Sequence, residues 1–190
     1  MLKKISIKSI LALCLFVLLF ACSKDDPDPI NENEAFSRVT LEVTKEGSSN
    51  PTTYTFEVEE HDHDDEDQVD HQGEHIKIDL EANATYNVSI SFFNISDNIT
   101  SEIIEEKDEH QFFYDITDEL NGFSIVSAAN DTEDSNGNPL FLKTIWTTTG
   151  ETSGVIVGYL IHEPTSKTGS TRNDIGGATD IQIEFEVHVK

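Results

Sequence analysis

Residues 59–75, EEHDHDDEDQVDHQGEH, place four histidines among nine acidic residues. His61 and His63 stand two positions apart, so an extended backbone points both imidazoles to the same side. His71 and His75 could bend back and complete a set of four nitrogens. Zinc accepts such a set in tetrahedral geometry, and copper also binds imidazole. The candidate metal ligands of this stretch are His61, His63, His71, His75, Asp62, Asp64 and Glu74.

Two interpretations of this stretch remain open. The first is a transition-metal site of modest affinity, because ordering a loop costs about 1–2 kcal/mol per residue. The other interpretation is a solvated run of charge in which the histidines are incidental.

A possible second metal site involves two histidines that lie near the ends of predicted strands. His110 follows Glu109, and His162 precedes Glu163. Strand ends are where ligands are commonly presented. The alternative is that each is a half-buried strand histidine with one hydrogen bond.

The loop NDTEDSNGNP, residues 130–139, contains part of a calcium-binding pattern. The matching positions are Asp131, Asp134, Asn136 and Gly137. Thr132 and Lys143 stand where an EF-hand loop needs an acid and a glutamate, so the pattern fails at both ends. An Asn-Gly turn explains the loop better than a calcium site does.

The elements that must position these residues are strands. Apolar side chains alternate with polar ones in six runs, at 39–43, 54–58, 76–80, 86–92, 155–161 and 181–187. Less regular strand candidates cover 110–116, 123–128 and 140–148, and turn-forming clusters separate the runs. Seven to nine short strands predict an all-β, antiparallel sandwich of immunoglobulin or fibronectin type with little helix. The histidine-rich stretch is then expected at the tip of a long hairpin between 54–58 and 76–80.

The first residues resemble a bacterial lipoprotein signal peptide. Three lysines precede the apolar run ILALCLFVLLFA, and LFAC has the form of a lipobox that ends at Cys22. The SKDD that follows looks like the surface-export signal of Bacteroidetes lipoproteins. The resemblance implies cleavage before Cys22, a lipid on its thiol, and a place on the outer membrane, exposed at the cell surface.

The chain divides into a signal peptide at 1–21 implied by this resemblance, an acidic, proline-bearing tether at 22–35 and, from the alternating strands, a β-sandwich domain at 36–190. Removal of the three signal-peptide lysines leaves nine basic residues against 37 acidic ones, a net charge of −28 with neutral histidines. Such a charge repels nucleic acid and concentrates cations. Cys14 leaves with the signal peptide and Cys22 is acylated, so any metal site must use nitrogen and oxygen donors.

A second resemblance covers most of residues 36–190. The runs NITSEIIEEKDEHQFFYDI, DSNGNPLFLKTIWTTTG and LIHEP with the closing GGATDIQIEFEVHV look like small Bacteroidetes lipoproteins found beside TonB-dependent receptors. This resemblance assigns no role to His110 or His162.

These observations predict a surface lipoprotein that captures divalent metal, zinc first and copper second, as an accessory to a TonB-dependent receptor. The alternative is an immunoglobulin-like module that binds a protein or glycan, with an acidic loop that serves only solubility; exposed aromatic residues on one face would favour it. No enzyme motif is present, and we expect no catalytic activity.

Overall fold

Alternating burial along the strands produces a sandwich of two sheets. The computed structural model describes residues 36–57 and 76–190. In the first strand Val39, Leu41 and Val43 are buried while their neighbours are partly or fully exposed. A strand with one apolar face must bury that face against a second layer.

Ten strands and two short helices make up the described chain. The strands before the first helix are β1 (Arg38–Lys45), β2 (Thr52–Glu57), β3 (Ile76–Leu80), β4 (Thr85–Asn94) and β5 (Asp97–Asn98). Helix α1 covers Thr100–Glu105 and helix α2 covers Arg172–Ile175. The remaining strands are β6 (His110–Ile116), β7 (Phe123–Ser127), β8 (Lys143–Thr148), β9 (Thr152–His162) and β10 (Ala178–Val189).

The strands form two sheets. Sheet A has the order β2-β1-β4-β8-β7, with the two-residue β5 added to β4, and sheet B has the order β3-β10-β9-β6. The predicted all-β sandwich with little helix is therefore confirmed, with one strand more than the upper end of the predicted count. The immunoglobulin or fibronectin type stays a prediction.

Two details of the predicted topology are wrong. β2 pairs with β1 in sheet A, whereas β3 pairs with β10 in sheet B, so these neighbours in sequence do not pair as a hairpin. The pairing of β3 with β10 is also parallel, which makes sheet B mixed rather than purely antiparallel. The chain between β2 and β3 therefore connects the two sheets.

The core between the sheets is mostly aliphatic, and aromatic rings meet within it. Phe92 of sheet A lies 6.0 Å from Phe112 of sheet B, measured between ring centroids. Trp146 is fully buried and meets Phe123 edge-on at 5.4 Å. Each large apolar side chain buried in this way contributes about 1.5–3 kcal/mol. Rings that meet across the sheets hold the two layers in register.

No helix in the described part of the chain is long and apolar enough to cross a membrane.

Candidate metal centre

Two histidines meet at one end of sheet B. His110 begins β6, His162 ends β9, and the two are direct partners in the antiparallel ladder. Side chains directly opposite each other on adjacent strands point to the same face and lie within contact distance. The imidazole centroids are 4.8 Å apart. His110 is only 1% exposed, while the His162 side chain keeps 24% of its surface in solvent.

The turn before β6 orients the His110 ring. The carbonyl of Glu106, just after α1, accepts hydrogen bonds from the backbone N–H groups of Glu109 and His110. The same carbonyl lies 3.4 Å from His110 Nδ1. A proton on Nδ1 that is donated to this carbonyl leaves Nε2 as the nitrogen with the free lone pair. The Glu106 carboxylate lies 3.7 Å from Nδ1 and favours the same tautomer.

Asp180 is the third member of the group, and a β-bulge places it there. Thr179 pairs with Ile161 and Ile181 pairs with Leu160, so the ladder between β10 and β9 skips Asp180. A bulge redirects the side chain of the extra residue. Asp180 Oδ2 comes to 3.7 Å from His110 Nε2, and the carboxylate side chain is only 11% exposed. One ligand atom each from His110, His162 and Asp180 lies within 4.8 Å of the other two.

The turn that leads into β10 needs two glycines. Gly176 and Gly177 both have positive φ, and a Cβ on Gly177 would lie 2.5 Å from the carbonyl oxygen of His162. The Arg172 guanidinium donates to both glycine carbonyls, at 2.7 and 3.0 Å, and to the Thr179 hydroxyl at 2.7 Å. These contacts bring the start of β10 close against the end of β9, where Asp180 is needed.

Two buried acceptors face each other at the centre of this group. His110 Nε2 and Asp180 Oδ2 are buried, and neither has a hydrogen-bond partner among the residues that the structure describes. Their separation of 3.7 Å is too long for a hydrogen bond. A buried polar atom without a partner costs about 1–3 kcal/mol. A cation between them would satisfy both atoms.

The environment shifts the pKa of both groups. Burial, and then the neighbouring His162, lowers the pKa of His110, although Asp180 and Glu106 act in the opposite direction. Burial raises the pKa of Asp180, against the effect of the two histidines. The lowered pKa of His110 favours the neutral imidazole, which is the form that binds a metal.

A buried ammonium supports the backbone behind His110. Lys167 Nζ donates to the carbonyl oxygens of Lys107 and His110, and it lies 3.6 Å from Asp134 Oδ2. Burial lowers the pKa of Lys167, and Asp134 opposes that shift. The lysine therefore connects the loop after β9 and the loop before β8 to the strand that carries His110.

The residues predicted for the second site are only partly brought together. His110 and His162 are in contact, and the Glu109 carboxylate is 4.0 Å from His162 Nε2. Glu163 is exposed and takes part through its backbone, whose N–H donates to the Glu109 carbonyl at 2.6 Å. Asp180 takes the place expected for Glu163. It was not predicted, because in the sequence it looks like an ordinary polar position in a strand.

The candidate ligands of the histidine-rich stretch, His61, His63, His71, His75, Asp62, Asp64 and Glu74, lie outside the described residues, as does Cys22. The strand that precedes them does show where this part of the chain leaves the sandwich. Glu57 ends β2 opposite Arg38, which also pairs with Phe93. Neighbouring Phe92 contacts Phe112, two residues from His110. β2 therefore ends at the same end of the sandwich as the two histidines.

The carboxylates of the candidate calcium loop accept hydrogen bonds from within the loop and from the residues just after it. Asp131 accepts hydrogen bonds from the backbone N–H groups of Phe141, Leu142 and Lys143. Burial alone would raise the pKa of Asp134, but hydrogen bonds from Asn138 and Asn136 together with Lys167 lower it to about 2. Gly137, with φ of 84°, donates its N–H to the Asp134 carbonyl. The structure therefore shows the predicted Asn-Gly turn, braced by the two carboxylates.

Comparison with protein-family models, with curated proteins and with solved structures finds no match for this chain. The fold and the site by themselves define the class, which is an all-β sandwich with a buried His/His/Asp group that could hold a metal ion. The large apolar side chains exposed on the described surface are Ile95, Ile104 and Val126. None of these three side chains is aromatic.

The first prediction concerns Asp180 in the metal-free protein. In Asp180→Asn the side-chain amide can donate a hydrogen bond to His110 Nε2, so two acceptors no longer face each other without a donor. We expect the free energy of unfolding at pH 7.5 with chelator to rise by about 1 kcal/mol, or about 2–4 °C in Tm. Asp115→Asn, an exposed change on β6, should stay within about 0.5 kcal/mol of the unsubstituted chain. A less stable Asp180→Asn protein would contradict this account.

The second prediction concerns His110 and pH. Because its folded pKa is lowered, the unfolded chain binds a proton that the folded protein does not, between the ordinary value of about 6.5 and the lower folded value. Stability should therefore fall as pH decreases through this window. His110→Phe keeps a buried ring but cannot titrate. In urea unfolding with chelator at pH 7.5 and 5.5, we expect the unsubstituted chain to lose more stability than His110→Phe. Equal losses would show that His110 is not responsible.

Proposed function

We propose that the protein captures a divalent transition metal, zinc first and copper second, with His110, His162 and Asp180. The observation that supports this proposal is the unsatisfied pair of His110 Nε2 and Asp180 Oδ2. A bound Zn²⁺ has ligands at about 2.0–2.2 Å, which puts neighbouring donors about 3.4 Å apart in a tetrahedral site. The observed 3.7 Å between His110 Nε2 and Asp180 Oδ2 is close to this value, whereas the three ligand atoms as a set lie within 4.8 Å of one another, so the group would contract around the ion.

The donor set suits zinc. Two imidazole nitrogens and one carboxylate oxygen are typical zinc ligands, and copper also accepts imidazole. Three protein ligands leave one position open, for water or for the exposed carboxylate of Glu109 beside His162. The Glu106 carbonyl at His110 Nδ1 provides the outer hydrogen bond that metal-binding histidines usually make. An open position permits exchange, which a capture protein needs.

The acidic, histidine-rich stretch 59–75 would serve as a collector for this site. Its four histidines and nine acids attract cations and hold them weakly. β2 leads into this part of the chain from the end of the sandwich that carries the buried group. Weak binding at many groups near one firmer site would raise the local concentration of metal there.

The location of the protein is proposed from the sequence. The lipobox LFAC and the following SKDD favour a lipid anchor on Cys22 in the outer membrane, at the cell surface. Two or more acyl chains give durable anchoring, since each buried CH₂ contributes about 0.8 kcal/mol. A metal-capture protein in this place would act as an accessory to a TonB-dependent receptor.

The third prediction tests metal capture by isothermal titration with ZnCl₂ at pH 7.5. The titrated protein is the mature chain with Cys22→Ser. We expect one site with a Kd well below 100 µM, where 100 µM corresponds to about −5.5 kcal/mol. His110→Ala or Asp180→Asn should weaken this site at least about tenfold. The absence of zinc or copper binding tighter than 100 µM would disprove the proposal.

Two control variants locate the binding. His188→Ala removes a histidine that pairs with Glu186 on β10, and it should leave the tight site unchanged. Replacement of His61, His63, His71 and His75 by Ala should remove additional weak binding and spare the tight site. Loss of the tight site in this fourfold variant would instead assign it to the histidine-rich stretch.

The fourth prediction tests the anchor. Expressed with its signal peptide in a bacterium that processes lipoproteins, the chain should incorporate radiolabelled palmitate and sediment with the outer membrane. Cys22→Ser should abolish both, because the acylated thiol is missing, whereas Cys14→Ser should preserve both. Membrane association that persists without Cys22 would rule out this form of anchoring.

A further inference from the structure

A cavity of about 330 Å³ opens between the edges of the two sheets. β6 is the edge strand of sheet B and β7 is the edge strand of sheet A. The main apolar lining of the cavity comes from Phe112, Phe113, Tyr114, Ile125, Phe141 and Ile175. Ligand pockets in proteins start at about 300 Å³ and are mostly apolar with a few placed polar groups. The size and lining match that description.

Gln111 supplies a polar group that has no partner. Its side chain lines the cavity, and the residue is only 2% exposed. Its Nε2 donates to the carbonyl oxygens of Lys167 at 3.0 Å and Pro139 at 3.4 Å, which fixes the orientation of the amide. Its Oε1 is buried without a hydrogen-bond partner in the described chain. A ligand that donates a hydrogen bond would satisfy this buried acceptor.

Phe141 is held in a strained conformation at the cavity wall. Its φ is 60°, in the left-handed region that non-glycine residues rarely adopt. The N–H of Phe141 donates to Asp131 Oδ2 at 2.7 Å, which keeps the backbone in place. Strain of this kind persists only where the surrounding structure imposes it, and it concentrates at functional sites.

The charges exclude a strongly ionic ligand. Lys167 is the one charged residue among those described as lining the cavity. Its ammonium group is already occupied by the carbonyls of Lys107 and His110 and by the Asp134 carboxylate. An anion would therefore find no free cation here, and a ligand cation would find no free carboxylate.

We propose that this cavity binds a small, neutral, planar aromatic molecule that carries one N–H or O–H donor, which is accepted by Gln111 Oε1. The aromatic side chains offer edges and faces for the ligand ring. The ligand-binding groups of the two sites are different, since the cavity uses Gln111 Oε1 and the metal group uses His110, His162 and Asp180. Failure of zinc binding would leave this proposal intact, and the reverse also holds.

The fifth prediction uses indole and benzofuran, which have nearly the same shape but differ in the N–H donor. Both are titrated into the mature Cys22→Ser chain with chelator present and followed by ligand-observed NMR. We expect indole to bind with a Kd below about 1 mM and at least about tenfold more tightly than benzofuran. No indole binding by 10 mM, or equal affinity for both compounds, would overturn the proposal.

Matched variants locate the binding. Ile125→Phe adds bulk to the cavity wall and should abolish indole binding, whereas Val126→Phe changes the next residue of β7, which is 55% exposed, and should preserve it. Gln111→Leu should remove the preference for indole over benzofuran. Indole binding that survives Ile125→Phe would place the compound elsewhere and overturn the assignment, and so would a preference that survives Gln111→Leu.

Discussion

The contacts of the Lys167 ammonium group are the interactions on which this end of the sandwich depends. The ammonium donates to the carbonyl oxygens of Lys107 and His110 and pairs with the carboxylate of Asp134, so three separate segments of the chain meet at one buried charge. Removing one partner of a buried pair strands the other charge, which costs about 3–5 kcal/mol. The lysine also stands between the two candidate sites, because it contacts the backbone of His110 and lines the cavity beside Gln111. Both sites therefore rest on the same polar support.

The strands could be predicted from the sequence because burial of one face leaves a period of two in the chain. Their partners could not. β3 alternates well enough to be recognised, but alternation carries no information about which strand lies next to it, and proximity in sequence favoured β2. The structure pairs Ile76 with Phe185 instead. The period of two shows only that one face of a strand is buried. Which strands pair depends on how all of the strands pack around the common core.

The sequence likewise allowed only part of the candidate site to be predicted, namely the two histidines and not the aspartate. His110 and His162 stand at strand ends beside acids, which is a local signal, and the ladder makes them direct partners. Asp180 gave no local signal, because its place depends on a skipped position between Thr179 and Ile181. The only hint is the pair of glycines just before β10, which marks a tight approach of backbone to backbone. A third ligand supplied by a bulge is visible only once the register is known.

The parallel pairing of β3 with β10 has a consequence for how the protein reaches its native state. Contacts between distant parts of a chain form slowly, because the loop between them must close first. β10 lies inside sheet B and is bordered by β3 and β9, so this sheet is completed only when the strand that carries Asp180 has been inserted. The three side chains of the His/His/Asp group come from β6, β9 and β10, so they meet only when these three strands are paired in sheet B. A chain in which β10 is not yet paired lacks this group, so any binding through it would belong to the folded domain.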